Sequence, residues 1–478
     1  MKILYVASEC APFAASGGLG DVIGALPKFV KAERKNDVVE VIIPLYRTLD
    51  EKYKSRLRYV CDLEFSLSWR KTGASVYKLR EDNVNYYFID NSYYFDRDRL
   101  YGEYDDAERF AFFCMAVVAF IKAQPTPPNV VHANDWQTAP LVIYLKTVFA
   151  SDLKLSEVKT LYTIHNIEYQ GKFSLDILGD VFGIEDSYRG VLEYDNCINL
   201  MKGAIICSDY VNTVSPNYAN ELKYDFFACG LSGIISSVSE KMCGVVNGID
   251  YTQFSPECGG DIYEPYSYES LIEGKRKNKL ALEEELGLVP DENKALLVMI
   301  TRLTEGKGID LILHILDELL SLDLQLVVLG TGEQRYEASL IDAERKHKNL
   351  KALIKFDRAL SKKMYAAADI FLMPSKSEPC GLAQMIATSY GTVPLVRSVG
   401  GLYDTIIPYG LEGANGFRFD EYNAHELLYC VKYALSVYND KEKWAQLCHS
   451  AKESDFSWNN SAKKYISVYK NIAKRKAK

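Results

Sequence analysis

Two cations stand just past an apolar run, in Met299-Ile-Thr-Arg302-Leu-Thr-Glu-Gly-Lys307-Gly. A guanidinium fork at Arg302 and an ammonium at Lys307, the latter beside a helix start, are suited to a diphosphate: one grips oxygens in pairs, the other is a compact point charge. Two solvated loop cations explain the same residues. A second apolar run ends in Met373-Pro-Ser-Lys-Ser-Glu378-Pro-Cys-Gly-Leu-Ala-Gln384. Glu378 can accept hydrogen bonds from sugar hydroxyls while amides of a helix beginning near Gly381 hold phosphate; a helix-capping carboxylate is the alternative. Upstream, Thr163-Ile-His165-Asn-Ile-Glu-Tyr-Gln-Gly171 and Val131-His-Ala-Asn-Asp135-Trp136-Gln-Thr138 also follow apolar runs. A lone His in such a place is more often a satisfied core residue. Trp136 beside Asp135 can hold a pyranose, ring face on indole and hydroxyls on carboxylate, and a half-buried Trp next to a capping Asp fits equally.

The first strand, Lys2–Glu9, runs into Ser16-Gly-Gly-Leu-Gly-Asp21, which opens a helix. Gly17 and Gly18 leave no Cβ between the backbone and a ligand, so the loop's N–H groups can face an anion. The spacing is not G-x-G-x-x-G, and the dinucleotide fingerprint is absent from both halves of the chain, which argues against a Rossmann oxidoreductase.

Elements that can position these groups alternate along the chain. Val38–Pro44, Tyr86–Asp90, Asn129–Ala133, Thr160–Ile164 and Val211–Val214 read as strands, with helices over Ala107–Lys122 and Thr138–Phe149. A glycine- and tyrosine-rich stretch, Asp250–Glu269, reads as a linker. The alternation then restarts with strands at Leu296–Thr301, Leu324–Leu329, Lys351–Lys355, Ile370–Met373 and Val393–Val396 and helices at Leu311–Leu320, Gln334–His347 and Gly381–Tyr390. Strands spaced by helices imply βαβ units and parallel sheets. The expectation is two doubly wound α/β domains, residues 1–250 and 251–455, with strand ends facing one cleft, and a helical tail, 456–478, that packs back on the first.

Composition narrows the functions. At 478 residues the chain is long enough for two or three well-buried domains. A net charge of −8 argues against nucleic acid or an anionic membrane as partner. The 11 cysteines show no C-x-x-C pair and no metal-ligand spacing, which suits a reducing cytosol. No signal peptide and no apolar run near the roughly 20 residues of a membrane span is visible, so the expected location is cytoplasmic, or a plastid for a plant source.

Taken together the motifs resemble those of bacterial glycogen synthases and plant starch synthases, retaining glucosyltransferases of the GT-B fold. The resemblance spans nearly the whole chain and rests on S-G-G-L-G-D-V at Ser16–Val22, H-A-N-D-W at His132–Trp136, T-I-H-N-I-E-Y-Q-G at Thr163–Gly171, T-V-S-P-N-Y-A at Thr213–Ala219, V-N-G-I-D at Val246–Asp250, T-R-L-T-E-G-K-G at Thr301–Gly308, P-S-K-S-E-P-C-G-L at Pro374–Leu382 and R-S-V-G-G-L-Y-D-T at Arg397–Thr405. It implies transfer of glucose from ADP-glucose, with UDP-glucose second, to the non-reducing end of an α-1,4-glucan. It implies that no metal or other cofactor is needed. A non-catalytic glucan-binding paralogue is the alternative from another class.

The same resemblance implies site roles. His165, Arg302, Lys307 and Glu378 would be catalytic. Gly17, Gly18, Asp21, Asn166, Asn247, Phe356, Cys380, Gly381, Leu382 and Thr405 would surround the donor, Phe356 stacking on the base. Glu9, Tyr94, Asp135 and Trp136 would face the glucan. One departure stands out: where the family commonly has K-T-G-G-L, with its Lys near the donor phosphates, this chain has Ala15-Ser16.

Overall fold

A computed structural model describes residues 1–257 and 260–474. The chain divides into two compact units, Met1–Gly248 together with Trp458 onward, and Ile249–Ser457. The second unit therefore interrupts the first in sequence.

The first unit is built on a nine-stranded sheet. Its strands are β1 (Lys2–Val6), β2 (Val38–Pro44), β3 (Arg58–Leu67), β4 (Arg70–Glu81), β5 (Val84–Asp90), β6 (Val130–Asn134) and β7 (Lys159–Ile164), then, after β8 (Lys172–Phe173), β9 (Glu193–Tyr194) and β10 (Cys197–Asn199), β11 (Tyr210–Thr213) and β12 (Met242–Gly244). The order is β12-β11-β7-β6-β1-β2-β5-β4-β3. Strands from β12 to β5 run parallel, and β4 and β3 close the edge antiparallel. Central strands such as β7 are buried along their whole length, as helices on both faces require. Sequence reading passed over β3 and β4, because their side chains alternate between solvent and core and include charged residues throughout. It also missed the small sheet β8-β10-β9, whose strands are only two or three residues long.

Helix Trp458–Lys474 closes this unit. Trp458, Ala462, Tyr465, Ile466, Tyr469 and Ile472 fall on one face at helical spacing and join the core formed by Ile3, Tyr5, Val22 and Leu26. The tail expected over 456–478 is thus a core element of the first unit, and its last four residues lie outside the described ones.

The second unit carries a six-stranded, all-parallel sheet: β13 (Ala295–Ile300), β14 (Leu324–Leu329), β15 (Leu350–Leu353), β16 (Ile370–Met373), β17 (Val393–Arg397) and β18 (Phe417–Phe419), in the order β15-β14-β13-β16-β17-β18. The stretch read as a linker, apart from residues 258–259, which are not described, packs into this unit. Tyr266 is buried and its hydroxyl donates to the Tyr390 carbonyl at 2.9 Å, while Asn278 accepts from the Tyr263 and Glu264 N–H groups. Among the described residues, no helix is long and apolar enough to cross a membrane.

Candidate functional site

Because the strands are parallel, every group that follows a strand lies at one edge of its sheet. In the second unit that edge gathers Arg302 and Lys307 after β13, Glu378 after β16, and Phe356 after β15. Lys307 donates to a Glu378 carboxylate oxygen at 2.6 Å, and Ser375 Oγ donates to the same oxygen at 3.0 Å. Glu378 is only 7% exposed, so it is no loose surface cap. Arg302 is exposed, and among the described residues its side chain has no partner. Phe356 is 89% exposed, an aromatic ring held in solvent at a strand end.

Glycines let the loops approach. Gly308 takes φ +74°, and a Cβ there would meet the Pro374 carbonyl at 2.2 Å. At Gly400, φ +47°, a Cβ would lie 1.9 Å from the Glu378 carbonyl oxygen. Helix Ala383–Ser389 follows Cys380, Gly381 and Leu382. Cys380 is buried. Thr405, expected beside the donor, is also buried; its hydroxyl donates to the Gly401 carbonyl at 2.7 Å and accepts from Gln384 at 3.1 Å. That hydroxyl is spent on helix packing.

In the first unit the corresponding edge carries the glycine loop after β1, Asp135 and Trp136 after β6, and His165 and Asn166 after β7. The glycine loop already holds an anion, and it is the chain's own. Glu9, 3% exposed, accepts from the N–H groups of Ser16 and Gly17, the latter at 3.2 Å, from Ser16 Oγ at 2.8 Å and from the Tyr101 hydroxyl at 2.6 Å. With its lone pairs so engaged, Glu9, expected to face the glucan, staples the loop. Gly17 and Gly18 are exposed with open space around them, and the exposed Asp21 sits in the first turn of the following helix. We expect Glu9→Gln, whose amide oxygen can replace only the carboxylate oxygen that takes the two backbone N–H groups, to set its NH2 against the Ser16 and Tyr101 hydroxyls that now donate there, and to lower stability by about 1–3 kcal/mol. The KM for nucleotide-glucose should rise severalfold; calorimetric unfolding and steady-state kinetics that both match wild type would remove the staple.

Tyr94, expected to face the glucan, belongs to an aromatic cluster. It is buried, its ring 4.4 Å from that of Phe112, and its hydroxyl donates to Glu108 at 2.6 Å.

His165 is oriented by a residue that sequence reading quoted within a motif without assigning. Asn134 Nδ2 donates to the carbonyls of Val6 at 3.1 Å and His132 at 3.0 Å, which uses both its hydrogens. Its Oδ1, 3.0 Å from His165 Nε2, is therefore the acceptor. Nε2 then carries the proton and Nδ1 offers a lone pair. Burial pushes the His165 imidazole down to about 3, so it stays neutral. Asp135 adopts φ +57°, a conformation L-residues avoid, and accepts from the His165 N–H at 2.8 Å. Burial pushes its carboxyl up to about 7, against the His165 and Asn166 N–H groups that hold it down. Trp136 is half-buried against Phe110 and Phe173, under Gly171, where a Cβ would meet the indole at 2.7 Å. Asn166 is half-buried, and Asn247, 6% exposed, keeps a buried Oδ1 with no partner among the described residues.

Residues 2–237 match the family model of the starch synthase catalytic domain, and residues 283–452 that of group 1 glycosyl transferases. The chain is 45% identical over 482 residues to the glycogen synthase of Clostridium botulinum (strain Eklund 17B / Type B), covering 99% of this chain and 100% of that one. The chain belongs to the glycogen and starch synthase family. The glycogen synthase of Streptococcus agalactiae serotype III (strain NEM316) is 44% identical, covering 99% of this chain and 100% of its own. Among solved structures, the catalytic domain of starch synthase IV from Arabidopsis thaliana, bound to ADP and acarbose, aligns with a TM-score of 0.88 and 32% identity over 99% of both chains. A sucrose-phosphate synthase from Thermosynechococcus elongatus, at TM-score 0.63 and 15% identity over 98% of both chains, shares the fold. This family member is a glycosyltransferase with the two Rossmann-like units of the GT-B class. Besides Asn134, the sequence reading left Tyr101, Ser375 and Arg397 without a role; the last two lie inside motifs it quoted.

Proposed function

We propose that the protein transfers glucose from ADP-glucose to the terminal 4-hydroxyl of an α-1,4-glucan, with retention and release of ADP. The observation that carries this reading is the C-terminal edge of the second unit's sheet, where an exposed guanidinium, a preset Lys307–Glu378 pair and an exposed aromatic ring stand together. In this reading Arg302 and Lys307 meet the charge that grows on the departing diphosphate, the largest single contribution such a site can make. Glu378 accepts from glucose hydroxyls, the amides around Cys380–Leu382 help hold the donor, and Phe356 stacks on the adenine. His165, neutral, accepts from a hydroxyl of the glucose through Nδ1, and Asn166, Asn247 and the Gly17–Gly18 backbone are assigned to the donor as well. Asp135 and Trp136 serve the glucan. The leaving phosphate takes the proton of the incoming 4-hydroxyl, and no side-chain carboxylate forms a bond to the sugar. The ADP in the Arabidopsis neighbour supports the choice of base.

Incubation of the purified protein with labelled ADP-glucose or UDP-glucose and glycogen tests the reading directly. Incorporation from ADP-glucose with the lower KM is expected; glucan binding without incorporation would favour the paralogue. Ala15 adds a second test. A cation at that position is worth roughly 1.5–3 kcal/mol of charge-assisted hydrogen bonding. Ala15→Lys should therefore lower the donor KM at least severalfold, and an unchanged KM for both nucleotides refutes a phosphate contact there.

A further inference from the structure

The Lys307 and Glu378 loops belong to chain segments about seventy residues apart, yet their side chains meet at 2.6 Å. A single ion pair is poor cement, since the cost of taking two charges out of water offsets much of their attraction. Other bonds hold the two loops in place. The Lys376 N–H donates to the Gly306 carbonyl at 3.0 Å, and Lys376 Nζ reaches Glu305 at 2.8 Å. Arg397, at the end of β17 and 9% exposed, donates through Nη1 to the Lys376 carbonyl at 2.9 Å and through Nε to the Asp420 carbonyl at 3.1 Å. Under both cations lies one ring. The Arg397 guanidinium is 5.5 Å and the Lys376 ammonium 5.9 Å from the centre of Tyr422. The Tyr422 hydroxyl donates to Asp310 at 2.5 Å, with the Glu305 carbonyl 3.3 Å away. Asp310 lies in the first turn of the helix Ile309–His314, which begins two residues after Lys307.

We propose that Tyr422 is a positioning residue: its hydroxyl anchors the Lys307 loop and its ring carries the two cations that anchor the Glu378 loop, so that both loops share one rigid support. Neither the exposed Glu305–Lys376 pair nor the backbone bond fixes the side-chain geometry alone, whereas a ring bonded at its rim and loaded on its face resists sliding in both directions. The inference rests on the reading that Lys307 and Glu378 act on the same donor. It places the strap entirely within the second unit.

The test uses full-length protein. Tyr422→Phe keeps the ring and its cations but loses the anchor to Asp310. It should lower kcat roughly tenfold, as small misplacements of catalytic groups do, while the glucan KM stays within about twofold and the protein remains folded. Amide hydrogen exchange at residues 306–308 and 375–378 should quicken at least severalfold. Asp310→Asn, which preserves an acceptor, should behave as wild type, and Asp310→Ala should match Tyr422→Phe without adding to it in the double variant. Wild-type kcat in folded Tyr422→Phe overturns the proposal, as does a fall in kcat with unchanged exchange at both loops. Should wild type transfer no glucose from any nucleotide sugar, the parent reading fails, and the exchange measurement still decides the strap: quickened exchange at both loops upholds it and unchanged exchange refutes it.

Discussion

Lys307→Ala should lower kcat by roughly 100- to 1,000-fold, the range seen when one preorganised electrostatic group is removed from a developing oxyanion. The argument starts from the 2.6 Å pair with Glu378. In the resting protein the ammonium is already oriented and partly shielded from water, so it reorganises little as charge develops on the diphosphate. Its loss also strands Glu378, which is 7% exposed and left, among the described residues, with the Ser375 hydroxyl as its side-chain partner. A buried carboxylate without its cation draws in water or turns toward another donor, and so presents a different face to glucose hydroxyls. The two residues should therefore act as a unit. Glu378→Gln should be nearly as damaging as Lys307→Ala, and the double variant only slightly worse than the poorer single, because each loss has already disabled the other group. Arginine at 307 restores charge but not shape, and recovery should be partial. Steady-state rates with saturating glucan read all four variants. A kcat for Lys307→Ala within about threefold of wild type would take the ammonium out of the reaction.

What the sequence disclosed and what it hid follow from which bonds are local. Parallel core strands are apolar along their whole length and announce themselves; β14 and β16 were read to the residue, and Val38–Pro44 likewise. The antiparallel hairpin of β3 and β4 alternates with solvent, so its pattern looks like loop. At the site, Arg302, Lys307 and Glu378 drew notice because their types do unusual work just past apolar runs, whereas Phe356 was named only through the family resemblance. Groups whose partners are remote in sequence were not legible. Nothing near Glu9 says that Tyr101, 92 positions away, shares its carboxylate with the glycine loop. Nothing near Asn134 says that both its amide hydrogens are committed elsewhere and that it fixes a histidine 31 positions on. Nothing near Tyr94, whose glucan role came from the resemblance alone, says that its ring packs 4.4 Å from Phe112.

Tyr469→Ala should destabilise the first unit by about 3–5 kcal/mol, the usual loss for a fully buried aromatic, and by roughly 1–3 kcal/mol more through the hydrogen bond it abandons. Tyr469 is completely buried on the closing helix, ring against ring with Tyr5 and Tyr465. Its hydroxyl lies 2.8 Å from that of Tyr5 and 2.9 Å from His132 Nδ1, while His132 Nε2 lies 2.7 Å from Thr163 Oγ1. The same network reaches Asn212, which donates to the Tyr465 hydroxyl at 2.9 Å. Burial, with the neighbouring His165 adding to it, pushes His132 down to about 3. The unfolded chain, with an ordinary histidine value near 6.5, takes up its proton first as the pH falls. Stability is therefore lost on the acid side, by up to about 1.4 kcal/mol per pH unit for each histidine held neutral, starting below about pH 6.5. Alanine at 469 opens a cavity that admits water to His132, so its pKa climbs back and that acid penalty shrinks in the variant. The stability gap between wild type and Tyr469→Ala should thus narrow by about 1–2 kcal/mol between pH 7 and pH 5. Urea unfolding at the two pH values measures it. A gap that is large but independent of pH would mean that the ring matters only as filler and that His132 is not kept neutral by the helix that covers it.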